Sequence, residues 1–213
     1  MGGPAGAVRL VLLLLSVLAA SLSRVAAAPS PVYDMDGHEL SADADYYVLP
    51  APRGSGGGGG GGLTMAPHTF RCPLFVAQED DPLRRGFPVR FTPLHGHGGD
   101  RTVRVSFDVA IHFAAVTTCV QTTEWHVAGR GDEPFASGPR HVVTGPVLAP
   151  TAGGRERVFR VERHSHGYIL VWCGVPTECE ELGVFRDERD RAWLAVSDEP
   201  HVVVFKKAPP TPA

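Results

Sequence analysis

The residues with chemical reach fall into a few small groups. His95 and His97 stand two apart, as do His164 and His166, a spacing at which paired imidazoles can chelate a metal. Each pair is set among Gly or Ser and reads as solvated ring nitrogens rather than as a metal centre. Cys72, Cys119, Cys173 and Cys179 contain no CxxC spacing, and the ten histidines are scattered, which argues against zinc. Arg130-Gly131-Asp132 has the composition of an integrin ligand but lies in a Gly-rich stretch and reads as coincidence. Gly54 and Gly56 to Gly62 form a glycine run with no Lys or helix start after it, so it is no phosphate cradle. Residues 54–62 are expected to be a flexible loop, because residues without side chains bury nothing and lose the most entropy on ordering. Neither GxSxG nor HExxH occurs. The chain is read as a non-enzyme without metal or cofactor.

The amino terminus addresses the chain rather than folding with it. Arg9 precedes an apolar run from Leu10 to Ala20, and Ala26-Ala27-Ala28 follows Arg24, which is the pattern of a secretory signal peptide over residues 1–28, cut after Ala27 or Ala28. That run falls short of the ~20 residues needed to span a bilayer, so no membrane association is expected. Removing Arg9 and Arg24 takes the net charge from −3 to about −5, which gives no electrostatic footprint for nucleic acid. Secretion places the cysteines in an oxidising compartment, where two disulfides are expected. Three connectivities are open. Sequential pairing is the most economical: Cys72 with Cys119 closes a long loop, and Cys173 with Cys179 pins a hairpin tip.

Strands must position all of these groups. Between Asp100 and Ala128 there is neither Gly nor Pro, yet Val103, Val105, Phe107, Val109, Ile111 and Phe113 alternate with mostly polar residues. A period of two predicts a strand there, not a helix. Shorter runs of the same kind recur at 46–49, 74–76, 89–91, 158–161, 168–172, 184–185, 192–196 and 201–205, separated by Gly, Pro and Asp. About ten to twelve short strands in one domain, 29–213, predict a β-barrel or sandwich. Their spacing marks three blocks, roughly 31–86, 87–146 and 147–207. Trp125 and Trp193 lie in strand patterns and read as core rather than as sugar platforms. The tail from Ala208 to Ala213 reads as a frayed end.

Several segments carry a resemblance to a known family. VYDMDGHELSADADYYV (32–48) fits the entry pattern of the plant Kunitz (soybean trypsin inhibitor type) family. GLTMAP (62–67), CPLFV (72–76), GFPVR (86–90), TTCVQTTEWHV (117–127), RHVVTGPV (140–147), LGVFRD (182–187) and EPHVVVFKKAPP (199–210) continue it. Within that family the chain is similar to the cereal bifunctional α-amylase/subtilisin inhibitors, over essentially all of the mature sequence. The resemblance implies an all-β fold, a β-trefoil of about twelve strands with pseudo-threefold symmetry, and the two sequential disulfides.

It also implies two binding surfaces. The protease-binding loop would lie between the fourth and fifth strands, at Pro93, Leu94, His95, Gly96 and His97, with His95 the first choice for the primary pocket of a subtilisin-type serine protease. No Lys or Arg stands between Pro93 and Gly99, so the acidic pocket of a trypsin would find no charge partner. Gly96, Gly98 and Gly99 soften the loop. Ala42 stands where the soybean branch has a bracing Asn, and the sequence contains no Asn, which also excludes N-glycosylation. A separate face carrying Ser106, Glu181 and Glu199 would meet a plant α-amylase, with Glu199 approaching the enzyme's bound calcium through ordered water. Ile169 replaces a family lysine there, and the segment from Cys173 to Cys179 is longer than the cereal pattern, so amylase inhibition is expected to be weakened. The resemblance thus implies a secreted, monomeric inhibitor of the kind that defends plant seeds. The rival readings are a storage or scaffold protein that has lost inhibition, and a carbohydrate-binding β-trefoil, whose repeated Gln-x-Trp motifs are absent.

Overall fold

The computed structural model describes residues 29–52, 59–68, 72–94, 99–119, 122–129, 138–147, 150, 154–175 and 178–210. The signal segment, 53–58 of the glycine run and the Arg130-Gly131-Asp132 tripeptide lie outside these residues. Twelve strands follow one another: β1 (Tyr46–Pro50), β2 (Leu63–Pro67), β3 (Leu74–Gln78), β4 (Val89–Pro93), β5 (Val109–Phe113) and β6 (Trp125–Val127). They continue with β7 (Val142–Thr144), β8 (Phe159–His164), β9 (Gly167–Val175), β10 (Glu178–Arg186), β11 (Ala192–Val196) and β12 (Val203–Lys207).

The pairings divide these strands into two layers. Strands β12, β1, β4, β5, β8 and β9 pair in that order, and Val203 of β12 pairs with Tyr168 of β9, so the ring closes. The remaining strands form the hairpins β2–β3, β6–β7 and β10–β11. β3 pairs with both β7 and β11, and His141, just before β7, bridges to Ala195. A six-stranded barrel capped by three mutually paired hairpins is a β-trefoil. The three sequence blocks follow its symmetry, except that β12 falls in the last block and pairs with β1 of the first.

Alternation explains the barrel. Tyr46, Val48, Val89, Phe91, Val109, Ile111, Phe113, Phe159, Val161, Tyr168, Leu170, Trp172, Val203 and Phe205 all point into one buried cluster. Edge-to-face contacts lock it: Phe91 on Phe205 at 5.4 Å between ring centroids and Trp125 on Phe159 at 6.3 Å. Leu63, Val127, Val142, Leu182 and Leu194 plug the capped end. A second cluster, Phe75, Ala77, Ala128, Val143 and Trp193, joins the hairpins to one another. Trp125 and Trp193 are therefore core, as expected.

Both disulfides pair sequentially, Cys72 with Cys119 and Cys173 with Cys179. Two expectations need correction. The continuous strand through 102–113 is broken: Thr102 and Arg104 make only isolated bridges, Ser106 adopts a left-handed φ of 63°, and pairing resumes at Val109. Phe107 is left 39% exposed, while its neighbour Asp108 is buried. The glycine run also does not end as a flexible loop. Gly60, Gly61 and Gly62 are buried, and the Gly62 N–H donates to the Arg84 carbonyl at 2.8 Å. A Cβ on Gly61 or Gly62 would come within 2.1 Å of the Arg84 or Arg85 carbonyl oxygen, so these positions need glycine for close backbone approach. Ala208, at the start of the tail, donates its N–H to the Asp45 carbonyl at 2.8 Å.

Asp108 turns inward because two guanidinium groups meet it. Its carboxylate accepts from Arg160 Nε at 2.6 Å and from Arg155 Nη2 at 3.1 Å, while Arg155 Nε reaches the Cys173 carbonyl at 3.0 Å. Burial pushes the carboxyl up, but the hydrogen bonds from Arg160 and Arg155 outweigh it and hold Asp108 below the usual carboxylate range. A folded-state value below the unfolded one stabilises the protein above the ordinary carboxylate range, and the contribution is lost as pH falls through the folded value. Asp108→Asn is expected to cost about 2–3 kcal/mol at pH 7, or roughly 5–10 °C in Tm. Thermal unfolding of both proteins at pH 7 and pH 3 checks this: the gap must narrow in acid, and an equal gap at both pH values would contradict the assignment.

Candidate functional site

The chain leaves the barrel at the end of β4. Pro93 still pairs with Val109, and Leu94, 43% exposed, donates its N–H to the Asp108 carbonyl at 2.9 Å. The buried Asp108 carboxylate thus fixes the carbonyl that ends the loop's entry strand. His95, Gly96, His97 and Gly98 lie outside the described residues, the predicted primary contact His95 among them. The chain returns at Gly99, whose φ of 86° is a turn conformation that other residues adopt only under strain. Asp100 follows: its Oδ1 accepts the Thr102 N–H at 3.0 Å, and its Oδ2 accepts Arg104 Nε at 2.9 Å. The Thr102 N–H and the Arg104 guanidinium together hold the Asp100 carboxyl below its ordinary range. The Cys72–Cys119 disulfide brackets this whole excursion. Ala42 donates its N–H to the Arg101 carbonyl at 2.8 Å, so the position named for a missing Asn brace stands beside the loop's exit with only a methyl group to offer.

Ser106, Glu181 and Glu199 are joined by a run of contacts over the outside of the barrel. Ser106 Oγ donates to Glu162 Oε2 at 2.6 Å, and Glu162 pairs with Ile169 across β8 and β9. Val171, two residues on, pairs with Glu181 of β10. The Glu181 carbonyl accepts the Ser197 N–H at 3.0 Å, and Ser197 Oγ accepts the Glu199 N–H at 3.0 Å. Glu199 is exposed at the rim of a cavity of about 370 Å³ whose lining includes Pro50, Gln78, Arg186 and His201. Its backbone is closely supported, since a Cβ on Gly183 would sit 2.2 Å from the Glu199 carbonyl oxygen. Ile169, which stands where the family has a lysine, is buried. It is 6% exposed and packs with Val158, Val171, Cys173 and Val202.

The remaining candidates gain no support as ligand sites. His164 and His166 are exposed at the β8–β9 turn, where His164 Nδ1 lies 3.2 Å from Ser165 Oγ. Among the described residues no group of three His, Cys, Asp or Glu could hold a metal ion, and no helix is long and apolar enough to cross a membrane. Sequence reasoning missed Asp100, Arg104, Asp108, Arg155 and Arg160. Asp108 and Arg160 are 52 residues apart, and no local pattern marks such a pair.

The geometry finds its counterparts among known proteins. The legume-type Kunitz family model, described as trypsin and protease inhibitor, matches residues 32–207. The alpha-amylase/subtilisin inhibitor of Oryza sativa subsp. japonica is 59% identical over 206 residues, covering 96% of this chain and 97% of the relative. The endogenous alpha-amylase/subtilisin inhibitor of Triticum aestivum is 55% identical over 188 residues, covering 85% and 99%. The solved structure of the rice bifunctional alpha-amylase/subtilisin inhibitor superposes with a TM-score of 0.70 at 57% identity, covering 85% of this chain and all of that one. With its capped six-stranded barrel, two sequential disulfides and tethered loop after β4, the chain belongs to the legume-type Kunitz family of trypsin and protease inhibitors.

Proposed function

We propose that this protein is a secreted, monomeric inhibitor that blocks subtilisin-type serine proteases through loop 93–99 and binds a plant α-amylase through the separate surface of Ser106, Glu181 and Glu199. One observation carries the protease reading: the two ends of segment 93–99 are exposed at Leu94 and Asp100 and hydrogen-bonded to buried or braced residues, Leu94 to Asp108 and Asp100 to Arg104. A loop held in this way loses little conformational entropy on entering an active-site cleft. The protease serine attacks a loop carbonyl and forms an acyl-enzyme, but the departing amine stays tethered beside it. Religation then competes with hydrolysis, and the enzyme remains occupied. The relatives named alpha-amylase/subtilisin inhibitors support both targets.

Specificity follows from what the loop lacks. With no Lys or Arg from Pro93 to Gly99, it offers nothing to a pocket floored by a carboxylate, whereas a broad apolar pocket accepts Leu94 or His95. On the amylase side Glu199 supplies an exposed carboxylate, which in this reading faces the calcium-ordered water of the enzyme's cleft. A sugar-binding role is disfavoured by Trp125, Trp172 and Trp193, all buried, which leave no tryptophan face for a sugar ring.

Titration of subtilisin, trypsin and a cereal α-amylase with the purified protein tests the proposal. Subtilisin is expected to be inhibited at roughly nanomolar concentration, as in other protease–inhibitor pairs, trypsin far more weakly, and amylase measurably. Inhibition of none of the three would end the inhibitor reading. Glu199→Ala is expected to weaken amylase inhibition by about tenfold or more and to leave subtilisin inhibition unchanged. Equal losses against both enzymes would contradict separate surfaces.

A further inference from the structure

We infer that Arg104 is a positioning residue for protease inhibition, clamping the exit of loop 93–99 to the amino-terminal segment of the domain. The inference rests on the reading of that loop as the protease-binding element. The loop's entry is secured by strand pairing through Pro93 and by the Leu94 N–H on Asp108. Its exit is held without regular strand pairing: from Gly99 to Asp108 the described chain makes the isolated bridges Thr102 to Ser41 and Arg104 to Pro31, with single backbone hydrogen bonds such as Ala42 N–H to the Arg101 carbonyl and Val103 N–H to the Leu40 carbonyl, both at 2.8 Å.

Arg104 adds side-chain contacts at the residue nearest the loop, through one planar group. Nε and Nη2 both reach Asp100 Oδ2 at 2.9 Å, and Nη1 donates to the Pro29 carbonyl at 2.8 Å. Asp100 Oδ1 is spent on the Thr102 N–H, so both oxygens of the exit carboxylate are engaged. The far side of the clamp is itself fixed. Val105 N–H donates to the Ser30 carbonyl at 3.0 Å and Val32 N–H to the Val103 carbonyl at 2.9 Å, while Val32 and Val103 are fully buried in the main core. Asp100 is 40% exposed and Arg104 26%, so solvent screens the charge attraction and the pair matters chiefly through its geometry. A guanidinium fork sets the direction of Asp100 relative to Pro29, which the point charge of a lysine cannot do. A fixed exit keeps the amine side of a cut loop close to the acyl-enzyme, which is what slows hydrolysis of the bound inhibitor.

Arg104→Gln, Asp100→Asn and the double variant, each in the full chain, test the clamp against subtilisin. Each single variant is expected to raise the inhibition constant about tenfold, through faster dissociation or faster cleavage of the bound inhibitor at an unchanged association rate. The double variant should be no worse than either single, because both remove the same contact. Arg104→Lys should restore only part of the loss, and Tm should move by less than about 3 °C. An unchanged inhibition constant in Arg104→Gln would overturn the inference while a potent parent protein upheld the inhibitor reading. So would a loss of inhibition matched by a large fall in Tm, which would make Arg104 merely structural. A parent protein without activity on subtilisin would overturn the reading and this inference together.

Discussion

Closure of the six-stranded ring is the constraint on which everything else rests. A sheet of alternating strands buries only one face, and its edges stay open unless the last strand returns to the first. Here β12 pairs along its whole length with β1 and touches β9 through Val203 and Tyr168, so no barrel edge remains. The price of closure is a core that must be filled from six directions, and Phe91, Phe113, Phe159, Tyr168 and Phe205 with Trp125 do so. Deleting one of these rings would cost about 3–5 kcal/mol, a large share of a domain's stability. The three hairpins matter because they stop one end of the barrel with Leu63, Leu182 and Leu194.

A closed barrel leaves its connections free to vary, and in the proposed function they carry the recognition. The excursion between β4 and β5 is anchored by polar contacts at its two stems as well as by the burial of Val103 in the main core. Asp108 is drawn inward by Arg155 and Arg160, and through the Cys173 carbonyl the same arginine ties this corner to the second disulfide. Asp100 and Arg104 do the corresponding work at the other stem. The buried set stabilises the fold; the exposed set sets direction. Ser106, with its left-handed backbone, sits where these stems meet β8, and the contacts running from it to Glu199 use the outer faces of β8, β9 and β10.

Alternation was legible where one face of a strand meets the core, as in β1 and β4, and the strands buried on both faces, β9 and β11, showed as continuous apolar runs. It misled at 102–107, where apolar residues keep the period while the backbone turns at Ser106 and exposes Phe107. Composition misled at Gly60 to Gly62. An absent side chain looks like freedom, and only the carbonyls packed against those residues reveal it as a requirement. The cysteine pairing was legible from economy of spacing. The Asp108 clamp was invisible because its partners Arg155 and Arg160 stand 47 and 52 residues away, and the Asp100–Arg104 pair, only four residues apart, because each member alone reads as an ordinary surface charge.

The central claim is that a substrate-like loop, tethered at both ends and bracketed by the Cys72–Cys119 disulfide, occupies a subtilisin-type active site. Mass analysis of the protein recovered from a prolonged stoichiometric mixture with subtilisin tests it most directly. The account predicts a steady mixture of intact protein and a species one water heavier, which separates into two fragments only after reduction, with the cut between Pro93 and Gly99. Cuts elsewhere in the domain, or progressive degradation with no lasting single-cut species, would contradict it.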